Sequence, residues 1–343
     1  FIVINEKNKT YIIAEVGPNH QGSLKIAQQY IRKLSRIGVD AVKFQIGIAT
    51  EIYSSDAFKP KYQKSKKNKS INIIDLAKKR LLKLPEFKTL HKTCKKNKID
   101  FICSAFDLKS LKYLYKNTNF PYFKIASGEI HSKDTLEYIA LKKKPIIFST
   151  GMSNISEIRK SLKLLNKFHS QDITLLHCVS SYPTKLKDLN LNFIEILKEK
   201  FGYKFGLSDH SLDPLPSLIA VSMGATIIEK HVTLNKNWEG PDHKASLTIN
   251  EFKSLVKMIR KTEMILGKTK KVITIEEKLN SLAVRKSCVT NVKLTKGDIV
   301  LKKNISFKRP GTGLNPLEVD QIINKKIKTN IKKNSILKKS YFR

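Results

Sequence analysis

The sequence predicts an α/β fold, a closed (β/α)₈ TIM barrel followed by a small C-terminal domain, and three observations carry that expectation. Short apolar runs rich in β-branched and aromatic residues recur eight times between longer stretches of helical spacing. Strand and helix therefore alternate, which requires a parallel sheet with crossover helices. The chain of 343 residues exceeds one compact domain but suits a barrel of roughly 250 residues plus an appendage. No glycine-rich dinucleotide fingerprint follows the first run, so a closed barrel is favoured over an open sheet.

The eight runs are YIIAEVG (11–17), DAVKFQI (40–46), DFICSAF (100–106), PYFKIAS (121–127), PIIFSTG (145–151), ITLLHCV (173–179), KFGLSD (204–209) and TIIEKHV (226–232). Between them, segments such as 23–38 and 156–168 place Ile, Leu and Ala three and four residues apart, the pattern of a helix packed on a sheet. Residues 1–267 are assigned to the barrel, 268–284 to a linker and 285–343 to the second domain.

Composition narrows the function. Lys plus Arg number 66 against 29 Asp plus Glu, a net charge of +37 that first suggests nucleic acid. The basic residues are overwhelmingly Lys, spread over nearly every helix, with only short clusters at 61–69 and 324–334. No helix-turn-helix, zinc-finger or aromatic RNA-binding pattern accompanies them, so the charge reads as a solvated surface and the expectation is no nucleic acid. No uninterrupted apolar stretch would span a bilayer, and the N-terminal segment lacks the marks of a secretory signal. Cys94, Cys103, Cys178 and Cys288 are far apart with no CxxC pair, which speaks against a disulfide framework or structural zinc. A cytoplasmic protein without membrane attachment is expected.

Polar residues sit where a barrel needs them for chemistry, at the carboxyl ends of the strands. Side chains alternate along a strand, so in "TIIEKHV" Glu229 and His231 share the face toward the barrel mouth, while Lys230 reaches out between strand and helix layers. The same rule pairs Lys43 with Gln45, Ser208 with His210, and Ile13 with Glu15. One histidine near a strand end is most simply structural. Two on neighbouring strands, His210 and His231, beside carboxylates also suit a divalent ion such as Mn²⁺, Zn²⁺ or Co²⁺ with open positions, and spacing leaves both readings standing. Lys43 and Lys124 read either as snorkelling surface residues or as cations that meet an anion, for which phosphate fits. The hydroxyls of Ser104, Ser127, Ser149, Thr150 and Ser208 serve equally as helix caps or phosphate donors. Glu15 and Glu129 suit general acid and base, with salt bridges the plainer alternative.

Read together, "IIAEVGPNHQGSLKIA" (12–27), "VKFQ" (42–45), "FKIASGE" (123–129), "STGMS" (149–153), "LLHCVSSYPT" (175–184), "GLSDHS" (206–211) and "GPDHKAS" (240–246) resemble, in order and spacing, the sialic acid (nonulosonate) synthase family over nearly the whole chain. These enzymes condense phosphoenolpyruvate with an N-acetylated aldohexose. The resemblance implies a barrel followed by an antifreeze-like domain at 285–343, which contains "KRPGTG" (308–313).

It also implies a divalent ion, Mn²⁺ ahead of Mg²⁺ or Co²⁺, held by His210 and His231. Phosphoenolpyruvate would be gripped by Lys43 and Lys124 with Ser104, Ser127, Ser149, Ser180 and Ser208. The sugar would meet Gln45, Glu129, Tyr182 and Asp242, and Arg309 would reach it from the partner in a domain-swapped homodimer. Glu15, Glu129, Lys43 and Lys124 are the implied catalytic set, with Glu15 the acid/base carboxylate. Sequence alone also permits Lys124 as a Schiff-base nucleophile, which the family does not use. Ser180 stands where the sialic acid synthases carry Asn, which opens the acceptor to question. N-acetylmannosamine is favoured, with 2,4-diacetamido-2,4,6-trideoxymannose (giving legionaminic acid) second and the pseudaminic branch third.

Overall fold

The computed structural model describes residues 9–60, 71–169 and 172–342. The basic cluster at 61–69 lies outside the described residues. The chain divides into two compact units, Phe1–Gly267 and Lys268–Arg343.

The first unit is a closed barrel. Its strands are β1 (Tyr11–Glu15), β2 (Ala41–Ile46), β3 (Asp100–Ala105), β4 (Phe123–Ile125), β5 (Ile146–Ser149), β6 (Ile173–Cys178), β7 (Lys204–Asp209) and β8 (Ile227–Thr233). Each pairs in parallel with the next, and β1 with β8 closes the ring. A short β9 (Leu247–Thr248) adds to β8. The helices are α1 (Leu24–Leu34), α2 (Ala49–Ile52), α3 (Ile73–Arg80), α4 (Leu84–Lys96), α5 (Leu108–Asn117), α6 (Lys133–Ala140), α7 (Ile155–Leu165), α8 (Phe193–Phe201), α9 (Leu215–Ser222) and α10 (Ile249–Leu266). Segment 23–38 forms α1 with Ser23 as its N-cap, followed by a 3₁₀ turn, Ser35–Ile37, that ends at Gly38.

The two-residue alternation of the strands sorts their side chains into two cores. One parity, with Ile12, Val42, Phe44, Phe101, Phe148 and Ile228 among its members, packs between strands and helices. The other parity points into the barrel, where Ile13, Ala41, Ile102, Ile147, Leu176 and Ile227 form a buried apolar plug. One step further toward the carboxyl ends, the same inward parity turns polar. The fold thus supplies a greasy floor for a charged chamber.

Lys230 obeys the outward parity and lies in the layer between strand and helix. It is 1% exposed, and its ammonium donates to Asp209 Oδ2 at 2.6 Å, to the Asp213 carbonyl at 3.2 Å and to Ser211 Oγ at 3.3 Å. Asp209 in turn accepts from Ser211 N and from Ser217 Oγ, each at 2.8 Å. This network pins the turn after β7, which carries His210.

The second unit contains α11 (Ile275–Val284), so the stretch read as a linker is partly helical. It continues with an antiparallel pair, β10 (Ser287–Thr290) and β11 (Ile305–Lys308), and a small core of its own around Cys288, Leu294, Val300, Leu314, Ile327 and Leu337. The basic cluster at 324–334 belongs to this unit. All four cysteines are free and buried, and among the described residues no helix is long and apolar enough to cross a membrane.

Candidate active site

Strand register assembles the polar ring above the plug. Glu15 is level with Lys43 on one side and with His231 on the other. Gln45 is level with Ser104, and Ser104 with Lys124. Cys178 is level with Ser208, and Ser208 with Glu229. These side chains line a cavity of about 480 Å³ at the carboxyl ends of the strands.

Its floor is a cluster of four charges. Lys43 Nζ donates to Glu229 Oε1 at 2.8 Å and lies 3.5 Å from Glu15 Oε2. Lys124 Nζ donates to Ser149 Oγ at 2.7 Å and lies 3.9 Å from Glu229 Oε1. Ser208 Oγ donates to the same Glu229 oxygen at 3.0 Å, and Gln45 Nε2 to Glu15 Oε1 at 2.7 Å. The two carboxyls are pushed apart by their surroundings. Burial pushes Glu15 up to about 7, with Lys43 opposing and Glu229 adding to the rise. Burial acts on Glu229 in the same sense, but Lys124 and Lys43 overrule it and hold that carboxylate at about 2. Burial brings Lys124 down to about 8 against the pull of Glu229. Lys43 stays firmly charged because Glu15 and Glu229 outweigh its desolvation.

The cluster thus sets two ammonium groups against one firmly ionised carboxylate, Glu229, and against Glu15, whose proton burial retains to higher pH. Among the described residues seven buried side-chain polar atoms lack a hydrogen-bond partner, and five belong here: Glu15 Oε2, Ser104 Oγ, Ser180 Oγ, Glu229 Oε2 and His231 Nδ1. Native interiors satisfy such atoms, so their concentration in one chamber marks the seat of a polar guest. Gly151 keeps part of that seat open. A Cβ there would stand 2.5 Å from Ser180 Oγ and 2.7 Å from Ser127 Oγ, and the glycine N–H donates to Ser127 Oγ at 3.1 Å.

Two histidines stand beside this cluster, with ring centroids 5.3 Å apart. His210 Nδ1 lies 2.8 Å from the Val179 carbonyl oxygen. That bond requires the proton on Nδ1 and leaves Nε2 as a lone-pair donor. Burial, reinforced by His210, keeps His231 neutral, and its Nδ1 has no hydrogen-bond partner. Among the described residues no group of three or more His, Cys, Asp and Glu side chains is arranged to hold an ion. Burial lowers the pKa of His210, but Cys178 outweighs it and raises that imidazole above its ordinary value. With His210 deprotonated at Nε2, the pair would fit a divalent ion that keeps most of its coordination positions for water and substrate, not a closed structural site.

The family model for the NeuB family matches residues 30–271, most of the barrel unit. The chain belongs to the NeuB family. Among NeuB relatives, the N,N'-diacetyllegionaminic acid synthase of Campylobacter jejuni is 38% identical over 332 residues, 96% of this chain and 99% of that protein. The enzyme of the same name from Legionella pneumophila is 34% identical over 331 residues, 95% of this chain and 93% of that protein. The crystal structure of N-acetylneuraminic acid (sialic acid) synthetase from Leptospira borgpetersenii, in complex with citrate, is 32% identical. It superposes with a TM-score of 0.70 over 80% of this chain and 90% of that one.

Within this NeuB barrel, Glu15, Lys43, Gln45, Ser104, Lys124, Ser127, Ser149, Ser180, Tyr182, Ser208, His210, His231 and Asp242 all line the one cavity. Glu129 and Thr150 do not, and Arg309 was expected at a partner's cavity, not at this one. Glu129 lies past the end of β4, where Ser127–Glu129 turn as a 3₁₀ helix. Strand parity is lost there, and its carboxylate accepts from Ser132 Oγ at 2.6 Å. Thr150 Oγ1 donates to the Leu176 carbonyl at 3.0 Å, a structural bond. Arg309 belongs to the C-terminal unit, where its Nε donates to the Val284 carbonyl at 2.9 Å. Conversely, Glu229, Cys178, Tyr53 and Arg80 line the cavity without having been singled out as site residues. Alternation had already turned Glu229 toward the mouth, and the same rule would have found Cys178. Tyr53 and Arg80 come from the excursion between β2 and α4, where no strand parity applies.

Proposed function

We propose that the barrel condenses phosphoenolpyruvate with the open-chain aldehyde of an N-acylated aldohexose and water, giving a nonulosonic acid and inorganic phosphate. The charge of the chamber carries this reading. Two buried ammonium groups stand with one firmly ionised carboxylate among serine hydroxyls, of which Ser104 and Ser180 have no partner, and this suits a small phosphorylated carboxylate. As acceptor we favour 2,4-diacetamido-2,4,6-trideoxymannose. N-acetylmannosamine ranks first on motifs alone, and the legionaminic name carried by the relatives at 38% and 34% identity is what supports the diacetamido sugar ahead of it. His210 and His231 would hold the divalent ion, Mn²⁺ before others, and a bound ion supplies Lewis-acid polarisation of the aldehyde oxygen.

The chain's own residues do the rest. Lys43, Lys124 and the serine hydroxyls fix the phosphate, so the methylene carbon of phosphoenolpyruvate faces the aldehyde carbon. As the C–C bond forms, protonated Glu15 gives its proton to the oxygen that becomes a hydroxyl. Water then adds to the oxocarbenium-like C2 and returns a proton to Glu15, which restores the starting state. The hydroxyl now on C2 becomes the carbonyl of the product as the C–O bond to phosphate breaks, its proton leaving with the phosphate, and Lys43 and Lys124 offset the charge of the departing group. Lys124 is engaged by Ser149 and Glu229, and no Schiff base is involved. The C-terminal unit is read as the antifreeze-like domain of a domain-swapped homodimer, with Arg309 offered to the partner's sugar.

This assigns a sign to the pH dependence. Glu15 works in its protonated form and Lys124 in its charged form. The kcat/KM for phosphoenolpyruvate should fall with one-proton steepness above about 7 and two-proton steepness above about 8. Glu15→Gln should lower kcat roughly 10²- to 10⁴-fold and abolish the first break. A first break that survives in that variant assigns it to another group.

The function itself is tested by phosphate release from phosphoenolpyruvate after EDTA and again with Mn²⁺ restored. Release that requires both the metal and one of the two sugars is expected. Release indifferent to sugar would refute the synthase reading.

A further inference from the structure

The deep end of the cavity consists of hydroxyls, ammonium groups and carboxylates, but its outer wall is different. Ile52 and Tyr53 at the end of α2, Ile73, Leu76 and Ala77 on α3, and Arg80 in the last turn of α3 line it. Two features build this wall into place. Asp107 Oδ2 accepts from Ile48 N at 2.9 Å and ties the start of α2 to the turn after β3. Gly22, at φ +70°, lets the end of α3 close on the turn after β1, because a Cβ there would stand 2.5 Å from the Lys79 carbonyl oxygen. The charge of Arg80 reaches Tyr53, Asp242 and His243. Arg80 lines the cavity together with Tyr53 and Asp242.

An aliphatic wall with one guanidinium is a poor match for a hexose that carries hydroxyls at C4 and C6. It suits a sugar in which C6 is a methyl and C4 bears an acylamino group, since the methyls bury against Ile73, Leu76 and Ala77. Arginine has five donors and no acceptor, so an amide carbonyl suits it better than a hydroxyl, which must also give a hydrogen bond away. We propose that α3 is the specificity element of the acceptor site, its apolar face taking the methyl groups of a 6-deoxy sugar and Arg80 donating to the carbonyl of the 4-acylamino group. This rests on the synthase reading and deepens it by naming which part of the acceptor is recognised and where.

The test compares kcat/KM for 2,4-diacetamido-2,4,6-trideoxymannose with that for N-acetylmannosamine, with phosphoenolpyruvate and Mn²⁺ saturating. Wild-type protein should prefer the diacetamido sugar. Arg80→Leu should shrink the ratio roughly 10- to 100-fold, the worth of a hydrogen bond from a charged donor, mainly through KM of that sugar. Arg80→Lys should recover part of the ratio, and Ala77→Asn, which places an amide in the apolar wall, should shrink it independently. Thermal melting identifies variants that fail to fold, and the remaining variants then decide. Equal losses for both sugars, or an unchanged ratio, would overturn the assignment of Arg80. A wild-type preference for N-acetylmannosamine would overturn the role of the wall and leave the synthase reading intact. No turnover with either sugar would sink that reading and this inference together.

Discussion

Lys43→Met is expected to lower kcat/KM for phosphoenolpyruvate by at least about 10²-fold and to destabilise the fold by roughly 3–5 kcal/mol. Both effects follow from what the ammonium faces. Lys43 is 5% exposed and lies 2.8 Å from Glu229 and 3.5 Å from Glu15. Removing its charge leaves Glu229 in a buried chamber with Lys124 at 3.9 Å and the Ser208 hydroxyl, and a buried carboxylate that loses its nearest cation costs more than the pair contributes. A second substitution separates the two effects. In Lys43→Met with Glu229→Gln both members of the pair are gone, so the urea midpoint should return most of the way while turnover stays low. Recovery of turnover in the double variant would mean that Lys43 only balances Glu229 and does not hold substrate.

Lys230→Met should produce a comparable stability loss, roughly 3–5 kcal/mol, without touching the cavity wall. Its ammonium faces away from the mouth and holds Asp209, Ser211 and Asp213. Without it, Asp209 is a fully buried carboxylate left to two hydrogen bonds. Equilibrium unfolding measures the effect directly, and Asp209→Asn in the same chain should relieve much of it. A loss below about 1 kcal/mol, the worth of an exposed pair, would contradict the network described for the turn that carries His210.

The two lysines also show how much the sequence discloses. Lys43 and Lys230 both lie inside β-runs, and two-residue alternation alone sends the first into the barrel and the second out of it. The eight strands and the inward parity that gathers Glu15, Lys43, Ser208 and His231 were legible for the same reason. Legibility ends where that period ends. Glu129 follows a strand of only three residues and is carried off by a 3₁₀ turn. Arg80 arrives on a helix in an excursion whose place over the cavity depends on Gly22 and Asp107, which no local pattern reveals. Ionisation is less legible still, because Glu15 and Glu229 differ in state only through their distances to Lys43 and Lys124.

The most direct test of the central claim follows the bridging C–O–P oxygen of phosphoenolpyruvate, supplied with a heavy-isotope label to the Mn²⁺-loaded protein and 2,4-diacetamido-2,4,6-trideoxymannose. If the lysine and serine seat holds a phosphate that leaves with its bridging oxygen, all of the label appears in inorganic phosphate, and only when sugar is present. Label retained in the organic product, or phosphate released at the same rate without sugar, would contradict the account.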